Sequence, residues 1–474
     1  MNFASTQYLV YLSLVFLLYW RMPRKMQNLF ILVASYLFYA NWDWRFLGLI
    51  VAATLVAYMT GWYCHQAGSQ RARKFWLAVC LVINLGILGY FKYFNFFADS
   101  LVEFAGVFGW QISKTTTHII LPVGISFYTF QTLSYTLDIY RRQLEPTKSM
   151  IDFAAVTAFF PQLVAGPIVR AREFLFQLET ERVFNYADLE SGLKRILYGL
   201  FMKAFVADTL GVRLVDQVFA DPGRYSQWSL WVALVGYSVQ VYADFSGYSS
   251  MAIGSARILG FRIPENFNFP YLARSISEYW RRWHLTMSRF FRDYVYFSLG
   301  GSRRSYPRVL FNLAVTTLVS GLWHGAGWNF VAWGGLHGIY LAVNQLWRKA
   351  VSDGSGNSRI PVNLMTVTVA WVTTFFFLNI TRVLFRSGDF DQSWVYLKGL
   401  FGESGAETVA VPQLALIAFV SVMVDHLIGG LKEHGKLDGW VLPPVAQALV
   451  YVGAIVFLFN ARPATVDPFI YFQF

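Results

Sequence analysis

Two histidines lie in the segment "SGLWHGAGWNFVAWGGLHG" (320–338), where glycines and tryptophans surround them. The apolar run before His324, residues 309–323, is shorter than the about 20 residues that a helix needs to cross a bilayer. We therefore expect a helix that stops below the membrane surface and places His324 in a pocket. Desolvation keeps such an imidazole uncharged near neutral pH, so it can accept a proton as a general base.

Small polar residues precede His324 on the same predicted helical face. Thr317 and Ser320 lie about two turns and one turn earlier, and we assign them, with the adjacent Trp323, to the support of the pocket. The glycines of this segment would let backbone or substrate approach closely. We interpret His337 as structural. No metal site is predicted, because the His324–His337 spacing fits no helical ligand pair and no Asp, Glu or Cys set lies nearby.

A third histidine lies in "EYWRRWHLTMSRFFRDYVYF" (278–297). On a helical wheel, aromatic and aliphatic side chains fill one arc, and His284 is the single polar residue among them. The opposite arc carries the arginines. This pattern predicts an interfacial helix within 271–297, with arginines toward lipid headgroups. His284 is either a site residue or a buried histidine hydrogen-bonded to a neighbouring carbonyl.

The arginine face has two readings that the sequence leaves open. Arg281, Arg282 and Arg289, with Trp283, could form the mouth that binds a phosphorylated donor, or the arginines could bind anionic lipid. Asp244, in "SVQVYADFSGYSSM", is another ionisable residue inside an apolar segment. Such residues are candidates for function, although Asp244 could equally be structural, as a cap or as the partner of an arginine.

Composition predicts the environment of these residues. The chain has 474 residues, of which 56% are apolar and 14% charged, whereas soluble domains carry about 25% charged residues. The net charge of +12 is concentrated in short loops between apolar segments, which is the pattern of membrane orientation and not of nucleic-acid binding. Cys64 and Cys80 lie in or near apolar helices and predict no disulfide framework.

The basic loops orient the chain, because cytoplasmic loops carry an excess of Lys and Arg. Residues 21–25, 70–74 and 255–308 are therefore expected in the cytoplasm, with both termini outside it. About 12 crossings follow, in an all-α polytopic membrane domain over 1–474. They are predicted at 2–20, 27–41, 45–64, 75–97, 118–140, 196–214, 228–250, 309–325, 328–347, 361–380, 411–430 and 441–460.

Three further segments are not predicted to span. Residues 151–170 contain Pro161, Gly166 and Pro167 and predict a re-entrant or surface segment, which must pack in protein or line a cavity. Residues 170–195 predict an interfacial helix. The tail over 461–474 is rich in aromatic and aliphatic residues and is either an exposed docking element or a frayed end.

Four segments together resemble the membrane-bound O-acyltransferase family, in particular its alginate O-acetyltransferase branch. They are "FPQLVAGPIVR", "QVYADFSGYSSMAIG", "YWRRWHLTMSRFFRDYVYFSLGGSR" and "SGLWHGAGWNFVAWGGLHG", and the final "DPFIYFQF" is similar to the end of that branch. The sequence departs from the family at Ser250, where many relatives have an acidic residue, and at Ser298, where many have proline.

The resemblance implies 11 to 13 helices, some re-entrant or interfacial, around a central tunnel. His324 matches the family's catalytic histidine, which would act as a general base or carry the acyl group briefly as an acyl-histidine, and His284 matches the second histidine of the branch that exports acyl groups. Both would face the tunnel.

The resemblance also implies a reaction and partners. The expected function is to move acetyl groups from a cytoplasmic thioester, acetyl-CoA or a similar donor substrate, across the inner membrane of a bacterium. A periplasmic SGNH-type partner, within a polysaccharide synthase complex, would place them on an alginate-like or cellulose-like polymer, or on peptidoglycan. No bound cofactor is expected.

Two alternatives from other classes remain at this stage. A transporter or flippase often shows inverted repeats and broken helices at matching positions in two halves, and the sequence shows neither. A scaffold of a polysaccharide synthase complex is the second. Substitution of His324 separates them, because only an acyltransferase should lose acetylation while polymer export continues.

Overall fold

The computed structural model describes residues 3–111, 119–164, 166–352, 360–361, 363–437, 443–461 and 469. Within these residues the chain is all-α, as predicted, and its contacts divide it into two compact units. The first unit comprises residues 1–196 and 249–264, and the second comprises 197–248 and 265–474.

The first unit is built from mostly apolar helices joined by short connections. They are α1 (Thr6–Tyr19), α2 (Arg24–Asp43), α3 (Leu47–Gln66), α4 (Gln70–Leu88), α5 (Phe94–Val107), α6 (Ile125–Tyr140), α7 (Met150–Ala158), α8 (Phe160–Leu163) and α9 (Ala171–Glu179). Ser69 begins α4 with a side-chain cap on the Ala72 amide, which is a common start signal for a helix.

The predicted re-entrant stretch is two short helices, α7 and α8, followed by extended chain. Phe153, Phe159, Phe160 and Leu163 are completely buried in the first unit. Gln162 is also buried, and its amide donates to the Val156 carbonyl at 2.6 Å. The segment is therefore packed in protein, which is the condition under which irregular backbone is tolerated at membrane depth.

The second unit contains the segments that the sequence singled out for chemistry. Its helices, the first of which begins in the first unit, are α10 (Tyr186–Leu200), α11 (Asp208–Leu210), α12 (Asp216–Ala220), α13 (Gln227–Ile258, whose last residues belong to the first unit), α14 (Ile276–Tyr279), α15 (Leu285–Phe291), α16 (Tyr306–His324), α17 (Trp328–Val351), α18 (Leu364–Arg386), α19 (Phe390–Leu400), α20 (Gln413–Glu433) and α21 (Pro444–Ala461).

Five helical tracts of the described chain are long and apolar enough to cross a membrane, so the protein is a multi-pass membrane protein. They are 24–66, 70–107, Leu364–Arg386, Gln413–Glu433 and Pro444–Ala461. The crossings predicted near residues 361–380, 411–430 and 441–460 coincide with the last three. The predicted total of about 12 crossings stays a prediction.

Two boundaries differ from the sequence prediction. The helix predicted over 118–140 begins only at Ile125, after Gly124 in a left-handed conformation with φ of 75°; His118 lies outside the described residues. The interfacial helix predicted over 170–195 is two helices, α9 and the start of α10, separated by extended residues. α19 was not predicted.

The continuous helix predicted over 278–297 is wrong. α14 ends at Tyr279, residues 280–284 form turns, α15 occupies 285–291 and a π-helical turn follows over 292–296. His284 has a φ of 41°, in the left-handed region, where a right-handed helix cannot continue. Hydropathy periodicity carries no signal for such a break, because the side chains on both sides of it keep their helical spacing.

Glycines hold α16 and α17 together as a tight hairpin. A Cβ atom on Gly321 would overlap the Phe330 carbonyl oxygen, and one on Gly334 would overlap the Thr317 carbonyl oxygen. Small residues allow such close backbone approach between membrane helices. The sequence allowed these glycines to serve close approach of either backbone or substrate. At Gly321 and Gly334 it is the backbone of the other helix that approaches.

Candidate active site

His324 is the last residue of α16 and lies inside the second unit. Its side chain is buried, and its ring is 5.0 Å from the Trp323 ring, 5.0 Å from the Trp333 ring and 5.2 Å from the Phe385 ring. Gly325 follows in an extended conformation and ends the helix. The predicted helix end at a buried histidine is therefore found, but α16 has 19 residues and is longer than the apolar run 309–323. That His324 lies below the membrane surface stays a prediction.

The imidazole of His324 lines a small cavity of about 30 Å³. The walls are aromatic and aliphatic, with two further polar groups that bear on chemistry, His337 and Arg382. A space of this size holds about one water molecule. The space beside His324 therefore has room for little water.

A second cavity of about 130 Å³ adjoins the first. Trp333 and His337 line both cavities and so form the partition between them. Ser288 and Arg292, from the segment around α15, line only the second cavity. His337, which the sequence assigned to structure, thus borders both spaces.

The polar residues predicted to support His324 divide between two locations. Thr317 and Ser320 line the second cavity and not the one with His324. The Thr317 hydroxyl donates to the Leu313 and Ala314 carbonyls of its own helix, each at 3.1 Å. Trp323 lies between the two candidate catalytic histidines, with its ring 5.9 Å from the His284 ring.

His284 is completely buried, and neither ring nitrogen has a hydrogen-bond partner among the described residues. The interpretation as a histidine bonded to a neighbouring carbonyl is therefore wrong. Its ring packs 4.6 Å from the Phe245 ring and lies behind Trp323, outside the cavity that His324 lines. A buried polar group without a partner is costly, and active sites are where such groups are found.

Backbone hydrogen bonds hold His284 in its left-handed conformation. The Leu285 amide donates to the Asn266 carbonyl at 2.9 Å, and the Thr286 hydroxyl donates to the Asn266 side chain at 2.9 Å. The Ser288 amide donates to the His284 carbonyl at 2.9 Å and starts α15. Thr286 is buried beside Asn266, which is also buried.

The arginines of the predicted donor mouth differ in whether they form ion pairs. Arg282 donates to both carboxylate oxygens of Glu433, at 2.7 and 3.1 Å, and to Glu278 at 3.0 Å. Arg281 is exposed and Arg289 is half-buried, and neither forms an ion pair within the described residues. Trp283 is buried and stacks on Tyr279, with ring centroids 5.6 Å apart. Arg282 is therefore engaged by carboxylates of the fold, whereas Trp283 lines the same cavity as His324. The donor mouth stays a prediction.

Asp244 pairs with a lysine and not with an arginine. Lys203, in a π-helical turn over 201–207, is buried, and its ammonium group is 2.8 Å from Asp244 and 2.6 Å from Asp208. Lys203 is not among the predicted site residues, although a lysine inside "FMKAFVAD" is a signal of its own, since charged residues at membrane depth are rare. The adjacent Phe245 carries the contact to His284.

Arg382, on α18, was also missed. It is buried and shares the 30 Å³ cavity with His324. The surrounding sequence "FFFLNITRVLF" reads as a membrane crossing, and a single arginine within it was the available signal. No group of three or more potential metal ligands occurs among the described residues.

The exposed tail predicted over 461–474 is described only at Ala461 and Phe469. Phe469 is completely buried, with its ring 4.6 Å from the Tyr248 ring and 5.4 Å from the Phe245 ring. Phe469 is therefore not exposed. It contacts Phe245, whose ring also packs against His284.

The chain belongs to the membrane-bound O-acyltransferase family, whose sequence profile matches residues 142–385, and it is therefore an O-acyltransferase. This range contains His284, His324 and Arg382.

Relatives in bacteria extend the similarity over most of the chain. A probable alginate O-acetylase AlgI of Pseudomonas aeruginosa is 41% identical over 405 residues, which cover 85% of this chain and 75% of the relative. A protein of the same name from Azotobacter vinelandii is 38% identical, covering 90% of this chain and 84% of the relative. A peptidoglycan O-acetyltransferase of Helicobacter pylori is 35% identical, covering 85% and 78%.

Proposed function

We propose that this protein transfers acetyl groups from a cytoplasmic thioester, such as acetyl-CoA, to an acceptor hydroxyl on the outer side of the bacterial inner membrane. The observation that carries the proposal is His324, which is buried at the end of α16 against a water-sized aromatic cavity in a chain of the O-acyltransferase family. The cavity size favours a short acyl group, and relatives named for O-acetylation support acetyl.

His324 acts as the general base in this proposal. Its uncharged imidazole takes the proton of the acceptor hydroxyl while the hydroxyl oxygen attacks the thioester carbonyl carbon. The C–O bond forms, the C–S bond breaks, and the protonated imidazole returns its proton to the leaving thiolate. No nucleotide is consumed, because transfer from a thioester to an alcohol is downhill.

The donor approaches from the second cavity. Arg281 and Arg289, which have no ion pair among the described residues, are available to the phosphates of the donor near this segment. The two open nitrogens of His284 can donate and accept one hydrogen bond each. Because His284 lies behind Trp323 and lines neither cavity, we assign them to the thioester end only once Trp323 moves aside. His337 and Trp333, which separate the two cavities, border the path to His324.

The acceptor and the further partners belong to the same proposal. A periplasmic SGNH-type protein receives the acetyl group and passes it to a polysaccharide assembled by a synthase complex. The names of the relatives support an alginate-like polymer and, as the second candidate, peptidoglycan.

The test is a matched pair of histidine substitutions. In proteoliposomes supplied with acetyl-CoA and an acceptor, His324→Gln should lower acetyl transfer by about 10² to 10⁴, the range for loss of a general base. His426→Gln is the control, because His426 is also a buried membrane histidine, but its ring bonds the Val422 carbonyl at 3.0 Å and does not line the cavity. It should keep its activity.

Two results would contradict the proposal. Full activity of His324→Gln would show that His324 is not the general base. If the unaltered protein transferred no acyl group from any acyl thioester, the proposed reaction would be wrong. Mass spectrometry of surface polysaccharide from cells with either variant then separates an acyltransferase, which loses acetyl esters while polymer export continues, from a transporter.

A further inference from the structure

Arg382 is a buried cation that no carboxylate of the described residues neutralises. Arg382 is 5% exposed, and its guanidinium donates to the Ser238 hydroxyl at 2.6 Å, to the Tyr271 hydroxyl at 3.2 Å and also to the Tyr279 hydroxyl. The Tyr271 ring lies 5.1 Å from the guanidinium carbon. These neutral partners leave some of its five N–H donors and all of its charge uncompensated.

The next arginine on the same helix shows what a paired cation looks like here. Arg386, one turn later on α18, donates to the Asp216 carboxylate at 2.8 Å. The fold therefore provides a counter-ion for one arginine and not for the other. Burying a charge without an opposite charge is strongly unfavourable, so an unneutralised arginine points to an anion that comes from outside the chain.

The place of that anion is defined by the cavity. Leu378, Arg382 and Phe385 follow one face of α18 and line the 30 Å³ space, and the Phe385 ring contacts the His324 ring at 5.2 Å. This space holds about one water molecule. It accepts a single oxygen atom beside the guanidinium, as the carbonyl oxygen of an acyl group or one oxygen of a tetrahedral anion would present.

We propose that Arg382 stabilises the negative charge that develops on the acyl carbonyl oxygen during transfer, an inference that rests on the proposed function. When the acceptor oxygen attacks, the carbonyl π electrons move to the oxygen, which becomes an oxyanion beside the guanidinium. The charge returns to the carbonyl as the C–S bond breaks, and His324 gives its proton to the thiolate. Arg382 neither gains nor loses a proton in this step.

Ser238 and Tyr271 are the positioning residues for this cation. Ser238 lies on α13, and the Tyr271 hydroxyl donates to the Ser238 carbonyl, so the two acceptors are fixed to each other. A planar guanidinium held at two points is already oriented before substrate arrives. Preorganised donors of this kind act on charge that exists only in the transition state.

The experiment compares three variants in proteoliposomes with acetyl-CoA and an acceptor. Arg382→Gln should lower kcat by about 10² to 10³, the cost of losing one oxyanion donor, with a small change in KM. Arg382→Lys should recover part of the rate because it keeps the charge without the planar fork. Arg386→Gln is the control, since it removes a half-buried, ion-paired arginine one turn later on the same helix and outside the cavity, and should alter yield or stability but not kcat.

A binding measurement separates catalysis from folding. Acetonyl-CoA has a neutral ketone in place of the thioester, and a methylphosphonate analogue of CoA carries a tetrahedral anion there. The unaltered protein and Arg386→Gln should bind the anionic analogue at least tenfold more tightly than the neutral one. Arg382→Gln should lose this preference while still binding acetonyl-CoA.

The outcomes distinguish this inference from the proposed function. If the unaltered protein transfers acetyl and Arg382→Gln is equally active, or keeps the preference for the phosphonate, the role of Arg382 is wrong and the acetyltransferase proposal stands. If the unaltered protein transfers no acetyl group, the proposed function itself fails.

Discussion

At the scale of single residues, His284 combines a buried unpartnered ring with a backbone conformation that few residues adopt. Its φ of 41° lies in the left-handed region, which costs an ordinary residue about 1–2 kcal/mol and favours Gly and Asn. The Asn266 contacts to Leu285 and Thr286 stabilise this conformation. The backbone conformation of His284 therefore affects stability and its imidazole affects activity, and substitutions can separate the two effects.

We predict that His284→Asn and His284→Gly fold normally, because both residues adopt positive φ readily. His284→Val should be less stable, since a β-branched residue is strained there. All three should lose transfer activity by about 10² if the ring holds the thioester. Thermal unfolding in detergent measures stability, and acetyl transfer from acetyl-CoA measures the role of the ring. Activity of the Asn variant equal to the unaltered protein would leave His284 with a backbone role only.

At the scale of elements, the α16–α17 hairpin fixes His324 relative to the cavity through close helix contact. Gly321 and Gly334 face the opposite helix without space for a side chain. Gly335, the next residue on α17, is different, because an added Cβ would lie 3.7 Å from Leu318, an ordinary van der Waals distance. The two neighbouring glycines therefore offer a matched comparison within one helical turn.

Gly334→Ala should separate the helices, lower the thermal midpoint and reduce acetyl transfer, because the added methyl group overlaps the Thr317 carbonyl oxygen. Gly335→Ala should be tolerated or slightly stabilising, since alanine favours helix over glycine by about 1 kcal/mol. Unfolding curves of both variants in the same detergent provide the measurement. Equal stability of the two would show that the hairpin is not held by this contact.

What the sequence could predict also depends on scale. Long apolar runs such as those of α18 and α20 specify crossings because the bilayer demands length and hydropathy alone. The break before His284 and the π-helical turn at Lys203 were not predictable, because both depend on partners distant in the chain, Asn266 and Asp244. The burial of His324 at a helix end could be predicted from the histidine and the glycine that follows it. The proposed role of Arg382 required knowing that no carboxylate of the described residues pairs with it.

At the scale of the whole molecule, charge distribution predicts how the chain sits in the membrane, and the second unit offers an internal check. Glu433, at the end of α20, pairs with Arg282 in the basic stretch 255–308. α20 has 21 residues, and at about 1.5 Å per residue this is close to the thickness of the hydrocarbon core. The loop before Gln413 should therefore lie on the opposite side of the membrane from Arg282.

Two serine-to-cysteine substitutions test this orientation. Ser302, in the basic stretch, and Ser404, in the loop before α20, are both exposed, whereas the native Cys64 and Cys80 are buried. In intact spheroplasts, a membrane-impermeant maleimide should label Ser404→Cys, and it should label Ser302→Cys only after permeabilisation, because basic loops stay in the cytoplasm. The unaltered protein, with its two buried thiols, is the control for background labelling. In the reverse pattern, Ser302→Cys would be labelled in intact spheroplasts and Ser404→Cys would not, so the basic stretch would lie outside the cytoplasm. Acetyl-CoA in the cytoplasm could then not reach the cavity by the proposed route.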